Sequence, residues 1–173
     1  ISKLQIKSNK MRVLIQDIVD QLREVQEERI WIGESFAKKL AVVDEAQVFT
    51  RPLPDLHSIA EIISHLTTWR KETILKIKTG KGSLTEDSEE NWLTNDILIK
   101  LGWNNILQQY RNSLLELTSL LEKKEDSFLV EKYYDTDFKG MYEYRFVLNG
   151  MLHHDIYHLG QLGLIIKFIN AKR

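Results

Sequence analysis

Hydrophobic residues recur along most of this chain with the period of a helix. Met11, Leu14, Ile15, Ile18, Leu22 and Val25 are spaced so that they share one face, which predicts an amphipathic helix. Ser58, with Glu61 three positions later, has the form of a capping box and predicts a helix from there to about Lys78. Trp103, Ile106, Tyr110, Leu114, Leu117 and Leu121 make a third stripe. Val147, Met151, Ile165 and Phe168 fall on one face of a final helix. Residues 31–50 are expected to hold a shorter helical piece and a turn.

Three breaks separate these stripes. "RPLPDLHS" carries both prolines of the chain, each fixing its own φ and biasing its predecessor away from helix. "KTGKGSLTEDSEEN" is polar and contains two glycines, and a third break runs from "KKEDS" to "YYDTDFKG". Alternating strand patterns are scarce. Four amphipathic helices of about 20 residues predict an all-α fold, a four-helix bundle. No repeat, low-complexity tract or linker divides the chain, so residues 1–173 are expected to form one domain.

Composition narrows the function. Lys and Arg number 24 against 25 Asp and Glu, a formal charge of −1, so neither nucleic acid nor an anionic membrane surface is an expected partner. There is no cysteine, which excludes disulfides, thiolate metal sites and a cysteine nucleophile. Any thiol chemistry would need a thiol from outside. No apolar run reaches the roughly 18 residues of a transmembrane helix. The opening "ISKLQIKSNK" lacks the apolar core of a signal peptide, and a cytoplasmic location is expected.

The last helix changes the picture. Of five histidines, three lie in "HHDIYH", residues 153–158. At ~100° per residue, His154 and His158 are about 40° apart, and Gln161 lies between them. The stripe reads Val147, Met151, His154, His158, Gln161, Ile165, Phe168, with three polar side chains mid-way along a face expected to be buried. His153 is turned about 100° away. Buried polar groups without partners cost roughly 1 to 3 kcal/mol each, so these need partners. Two readings meet that need. The histidines are hydrogen-bonded in the core to Gln161, Tyr157 or a helix carbonyl, or they converge on a divalent metal. His65, on the capping-box helix, supplies a third ligand for the second reading. Three neutral ligands leave the ion's charge and open positions available for chemistry. Zn²⁺, Ni²⁺, Fe²⁺ and Cu²⁺ all suit imidazole.

"HSIAEIISHLTTW", followed about 85 residues later by "HHDIYHLGQLGLII", resembles the DinB-like (YfiT-like) superfamily of bacterial metalloproteins. "WIGESFAKKL", "RPLPDLHSIAE" and "GWNNILQQYRNSLLELTSLL" carry the resemblance in order between and before them. It implies a four-helix bundle with a long crossover connection and a metal triad at His65, His154 and His158, leaving out His57 and His153. It also implies a homodimer, with zinc or nickel as the metal. Members with an assigned activity are thiol-dependent transferases or isomerases. The leading expectation is therefore a metal-dependent transferase that uses a low-molecular-weight thiol on a small electrophilic substrate. A metal-dependent hydrolase is the first alternative, and a non-catalytic, stress-associated metal-binding protein the second. Gln161, Asp155, Tyr157 and Glu72 are the candidates to accept the ligands' other N–H, a solvated helix charge being the rival reading of Glu72 and Asp155. "KYYDTDFKGMYEY", just before the last helix, is either a pocket rim or an ordinary amphipathic loop.

Overall fold

The computed structural model describes residues 12–27 and 30–171. Helix α1 spans Val13–Glu27, and the short α2 spans Phe36–Leu40, followed by a 3-10 turn at Glu45–Gln47. Helix α3 spans Ile59–Thr79, α4 Asn95–Leu101, α5 Trp103–Leu121 and α6 Tyr144–Ala171. Two short strands, β1 (Lys132–Asp135) and β2 (Gly140–Glu143), form an antiparallel hairpin with Tyr133 opposite Tyr142. The long helices α1, α3, α5 and α6 form the four-helix bundle expected from the stripes.

Local signals start and stop these helices as the pattern requires. The Ser58 hydroxyl accepts from Glu61 N and the Glu61 carboxylate accepts from Ser58 N, a complete capping box. At the other end of α3, Gly80 takes a left-handed φ of 73°, a conformation that costs glycine no Cβ clash, and returns its N–H to Lys76.

Pairings between helices give their directions. Arg70 meets Tyr110 and Lys78 meets Glu116, so α3 and α5, consecutive long helices, run parallel. The chain between them, residues 80–102, must therefore cross the length of the bundle. Meanwhile His65 meets His154 and Tyr144 donates to the Lys76 carbonyl, so α6 runs antiparallel to α3.

The core has two apolar clusters. One holds Ile59, Ile63 and Leu66 of α3 with Leu159, Leu162 and Ile166 of α6; the other holds Ile74, Ile77, Leu148 and Met151 with Ile15, Val19 and Leu22 of α1. On α1 the structure departs from the predicted stripe: Leu14 is exposed, and Met11 lies outside the described residues. The rotation of α6 also differs. Of the predicted residues Met151 and Ile165 are buried in the core and Phe168 is exposed, and the core face is centred one residue on, through Leu148, Asp155, Leu159, Leu162, Ile166 and Ile169. The stripe through His154, His158 and Gln161 is displaced by one residue from it and faces a cleft whose wall includes residues of the hairpin.

The hairpin was not predicted. Its strands are four residues each, too short for alternation to show, and β1 is pinned by Tyr134, which bonds the backbone of Gly80 and Gly82 just beyond α3. No helix among the described residues is long and apolar enough to cross a membrane.

Candidate metal centre

His65 on α3 and His154 and His158 on α6 point into one space. The Nε2 atoms of His65 and His154 are 2.9 Å apart, and those of His154 and His158 are 3.1 Å apart. The second spacing is the i, i+4 geometry of a helix face. The first depends on α3 and α6 packing antiparallel with these turns level.

Two of the rings have their tautomers set by neighbours. His65 Nδ1 lies 3.0 Å from the backbone carbonyl of Asn91, which only accepts, so Nδ1 carries the hydrogen and Nε2 the lone pair. His158 Nδ1 lies 2.6 Å from Gln161 Oε1 and donates to it likewise. Two bare lone pairs therefore face His154 Nε2. A single hydrogen on that atom serves one of them and leaves the other unmatched. The chemistry of the donor set fits a cation better than it fits a hydrogen-bonded trio. The spacing also fits: with Zn–N bonds of about 2.0–2.1 Å, ligand nitrogens stand roughly 2.9 Å apart at a right angle and roughly 3.4 Å apart at a tetrahedral one. His154 is the least supported ring, since its Nδ1 is buried with no partner among the described residues.

All three rings resist protonation. Burial pushes His65 down to about 4, against the Asn91 hydrogen bond and helped by the neighbouring His158. Burial and then the other two imidazoles push His154 to about 3. Burial brings His158 to about 4 although its Gln161 bond opposes the shift. At neutral pH the site offers uncharged nitrogen donors.

The surroundings are aromatic. Trp92 lies flat against His65, ring centroids 3.8 Å apart, and His57 lies flat against the other face of Trp92 at 3.6 Å. Trp69 Nε1 donates to the Asn91 side chain, so one buried asparagine orients both His65 and a tryptophan of the site wall. Asn91 and Trp92 sit in a 3-10 turn, Glu89–Trp92, within the crossover. Neither was singled out from the sequence, and an asparagine holding an imidazole by its main-chain carbonyl leaves no residue-type signal. His57, set aside earlier, reaches the site through the stack.

The other expected contacts divide. Gln161 lies against His158 and accepts from its Nδ1. Asp155 faces away from the imidazoles and pairs with Arg70, because the residue after His154 is rotated about 100° into the core. Glu72 lies two helical turns beyond His65 on α3, where it accepts from Ser83 N and sits beside Lys76. Tyr157 is largely exposed, its ring edge-on to His158 at a centroid distance of 5.0 Å. His153 is exposed at the rim.

The triad opens on a cleft of about 1010 Å³ between α3 and α6, walled on one side by the hairpin. The segment with several tyrosines thus forms the rim, with Tyr133, Asp135 and Phe138 on the cleft wall. At the end remote from the histidines, Lys76 Nζ donates to Asp135 Oδ2 at 2.9 Å and Tyr133 donates to the same oxygen.

Residues 32–162 match the family model of the DinB superfamily. The chain belongs to that superfamily. Its fold is similar to that of YfiT from Bacillus subtilis, described as a probable metal-dependent hydrolase with an unusual four-helix bundle topology. The two share 14% sequence identity at a TM-score of 0.66, over 98% of this chain and 90% of that one. No curated protein matches this DinB-superfamily chain.

Proposed function

We propose that the protein is a metal-dependent enzyme acting on a small molecule in the cleft, that His65, His154 and His158 hold one divalent ion, and that the reaction is hydrolysis. The observation that carries this reading is the pair of Nε2 lone pairs, set by Asn91 and Gln161, that converge with His154 at the wall of a large cleft. The description of YfiT supports the choice of hydrolysis. Zinc and nickel are the ions proposed, since both suit imidazole donors. When bound, such an ion supplies Lewis acidity toward a carbonyl or phosphoryl oxygen.

The chain's own residues do the rest. Three uncharged imidazoles leave the charge of an ion undiminished, and their lowered pKa values keep protons from competing for the same lone pairs. Trp92 covers one face of His65 and shields it from water. Across the cleft, the Lys76–Asp135 pair and Tyr133 give the substrate's remote end a polar wall to bind.

A second reading is transfer of a group to or from a low-molecular-weight thiol. The cleft volume favours it: small-molecule sites run to roughly 300–1,000 Å³, so about 1010 Å³ accommodates a thiol and an electrophile together. With no cysteine in the chain, that thiol would be a co-substrate.

The test starts with metal analysis of the purified protein and its reloading with cobalt. One ion per chain is expected, lost in His158→Ala and retained in His153→Ala; equal loss from both would show the ligands wrongly assigned. Turnover of esters or amides by the loaded protein, absent in His158→Ala, supports hydrolysis. A near-ultraviolet charge-transfer band on adding small thiols, with turnover of an electrophile, would move the assignment to the transferase. Stoichiometric metal with neither activity would leave a metal-binding protein without catalysis.

A further inference from the structure

Between the two apolar clusters of the core lies a layer of four polar residues, one from each long helix. Arg70 of α3 and Asp155 of α6 are fully buried, with Arg70 Nη2 3.1 and 3.3 Å from the two carboxylate oxygens. Gln26 of α1 donates to Asp155 Oδ2 at 2.8 Å. Tyr110 of α5 donates to Gln26 Oε1, and its ring lies under the Arg70 guanidinium at 4.3 Å. The layer interrupts both core stripes. On α3, Arg70 sits between Leu66 and Ile74; on α6, Asp155 sits between Met151 and Leu159.

Such a layer is a poor choice for stability alone. Taking a guanidinium and a carboxylate out of water is costly, and apolar residues of similar volume are often neutral or stabilising in their place. What a buried pair does supply is direction, because only one register of the helices satisfies it. The two helices it joins are those that carry the histidines. Asp155 follows His154 directly, and Arg70 follows Trp69, which shares Asn91 with His65. The imidazoles themselves supply at most one hydrogen bond between α3 and α6, from His154 Nε2 to His65 Nε2.

We propose that Arg70 and Asp155, braced by Gln26 and Tyr110, are positioning residues that fix the register of α3 against α6 and so assemble the three-histidine site before an ion arrives. The inference rests on the metal reading above and goes beyond it, in assigning site geometry to a network that touches none of the three rings. The pair acts by holding the two helices to one register, and the Arg70 charge is also felt at His154. Small displacements matter here, because useful coordination tolerates only about 0.5 Å.

The test uses the full chain with Arg70→Met and Asp155→Leu combined, which removes both charges together and leaves neither buried alone. Cobalt and zinc affinities by chelator competition, the cobalt ligand-field spectrum, and imidazole ¹⁵N shifts of the metal-free protein are compared with wild type. The expected result is a folded protein whose thermal midpoint is near that of wild type. Its metal affinity falls about tenfold or more, the range seen when supports of metal ligands are removed. Its ¹⁵N shifts should change at His65 and His154, whose Nε2 atoms meet between the two helices, while His158, held by Gln161 of its own helix, keeps its tautomer. Should the double variant fail to fold, Arg70→Lys keeps the charge but loses the two-pronged reach, and a reduced affinity with intact folding is expected there. Unchanged affinity and spectrum in the folded variant would overturn the inference while leaving the metal site standing. Failure of wild type to bind any ion would overturn the metal reading, and this inference with it.

Discussion

Acidifying the metal-free protein from pH 7.5 to pH 5 should remove on the order of 3 kcal/mol of its stability through the histidine cluster. His65, His154 and His158 are held at about 4, about 3 and about 4 in the folded chain, by burial first. Unfolded, each returns to about 6.5. Between those values the unfolded state binds more protons than the folded one, so stability is complete above about 6.5 and declines as pH falls toward 4. One group lowered by about 2.5 units loses about 2 kcal/mol by pH 5, and three lose about 6. Water in the open cleft relaxes part of the burial penalty, and halving the sum gives about 3 kcal/mol. His57, lowered by burial as well, acts in the same direction. Asp135 and Glu61 are held below the ordinary carboxylate range although burial opposes it, by hydrogen bonds from Lys76 and Arg51. Their contribution is present above the unfolded carboxylate pKa and is lost only at lower pH, so they do not set the slope in this window. For a domain of this size the loss corresponds to roughly 6–12 °C in Tm. Thermal melts in a chelator at half-unit steps of pH would measure it, with His154→Ala as a flatter control. A midpoint that stays constant from pH 7.5 to 5 would refute the argument.

Three further outcomes are expected. Gln161→Leu removes the acceptor for His158 Nδ1, and metal affinity should fall by about 10- to 100-fold with folding unaffected; calorimetric titration showing wild-type affinity would refute it. Gly82→Ala would put a Cβ 2.3 Å from Glu72 Oε1 and 2.6 Å from Lys76 Cε, so it should cost about 1–3 kcal/mol in urea unfolding, and a neutral result would show that the buried pair yields easily. With a formal charge of −1, the protein should bind duplex DNA only weakly at about 150 mM salt; tight, steeply salt-dependent binding in a filter assay would contradict this.

Helix positions and the histidine constellation were legible in the sequence because both follow from periodicity along one element. The stripe from Trp103 to Leu121 is buried at every residue named, and the Ser58–Glu61 cap starts α3 where its spacing placed it. A period states which residues share a face, and His154, His158 and Gln161 do share one. It does not state what that face meets. Here the meeting surface is a cleft, and the core stripe of α6 lies one residue away, through Asp155. Arg70 was not singled out, and Asp155 reads from the sequence as a support of the imidazoles or a solvated helix charge, because the partner of a helix charge is not known until the opposing helix is. Asn91, Trp92 and the hairpin left still less trace. A main-chain carbonyl has no identity in the sequence, and four-residue strands are too short to show a period. Their roles depend on contacts between segments distant along the chain, and only the packing of α3 against α6, with the crossover and hairpin laid over both, brings those segments together.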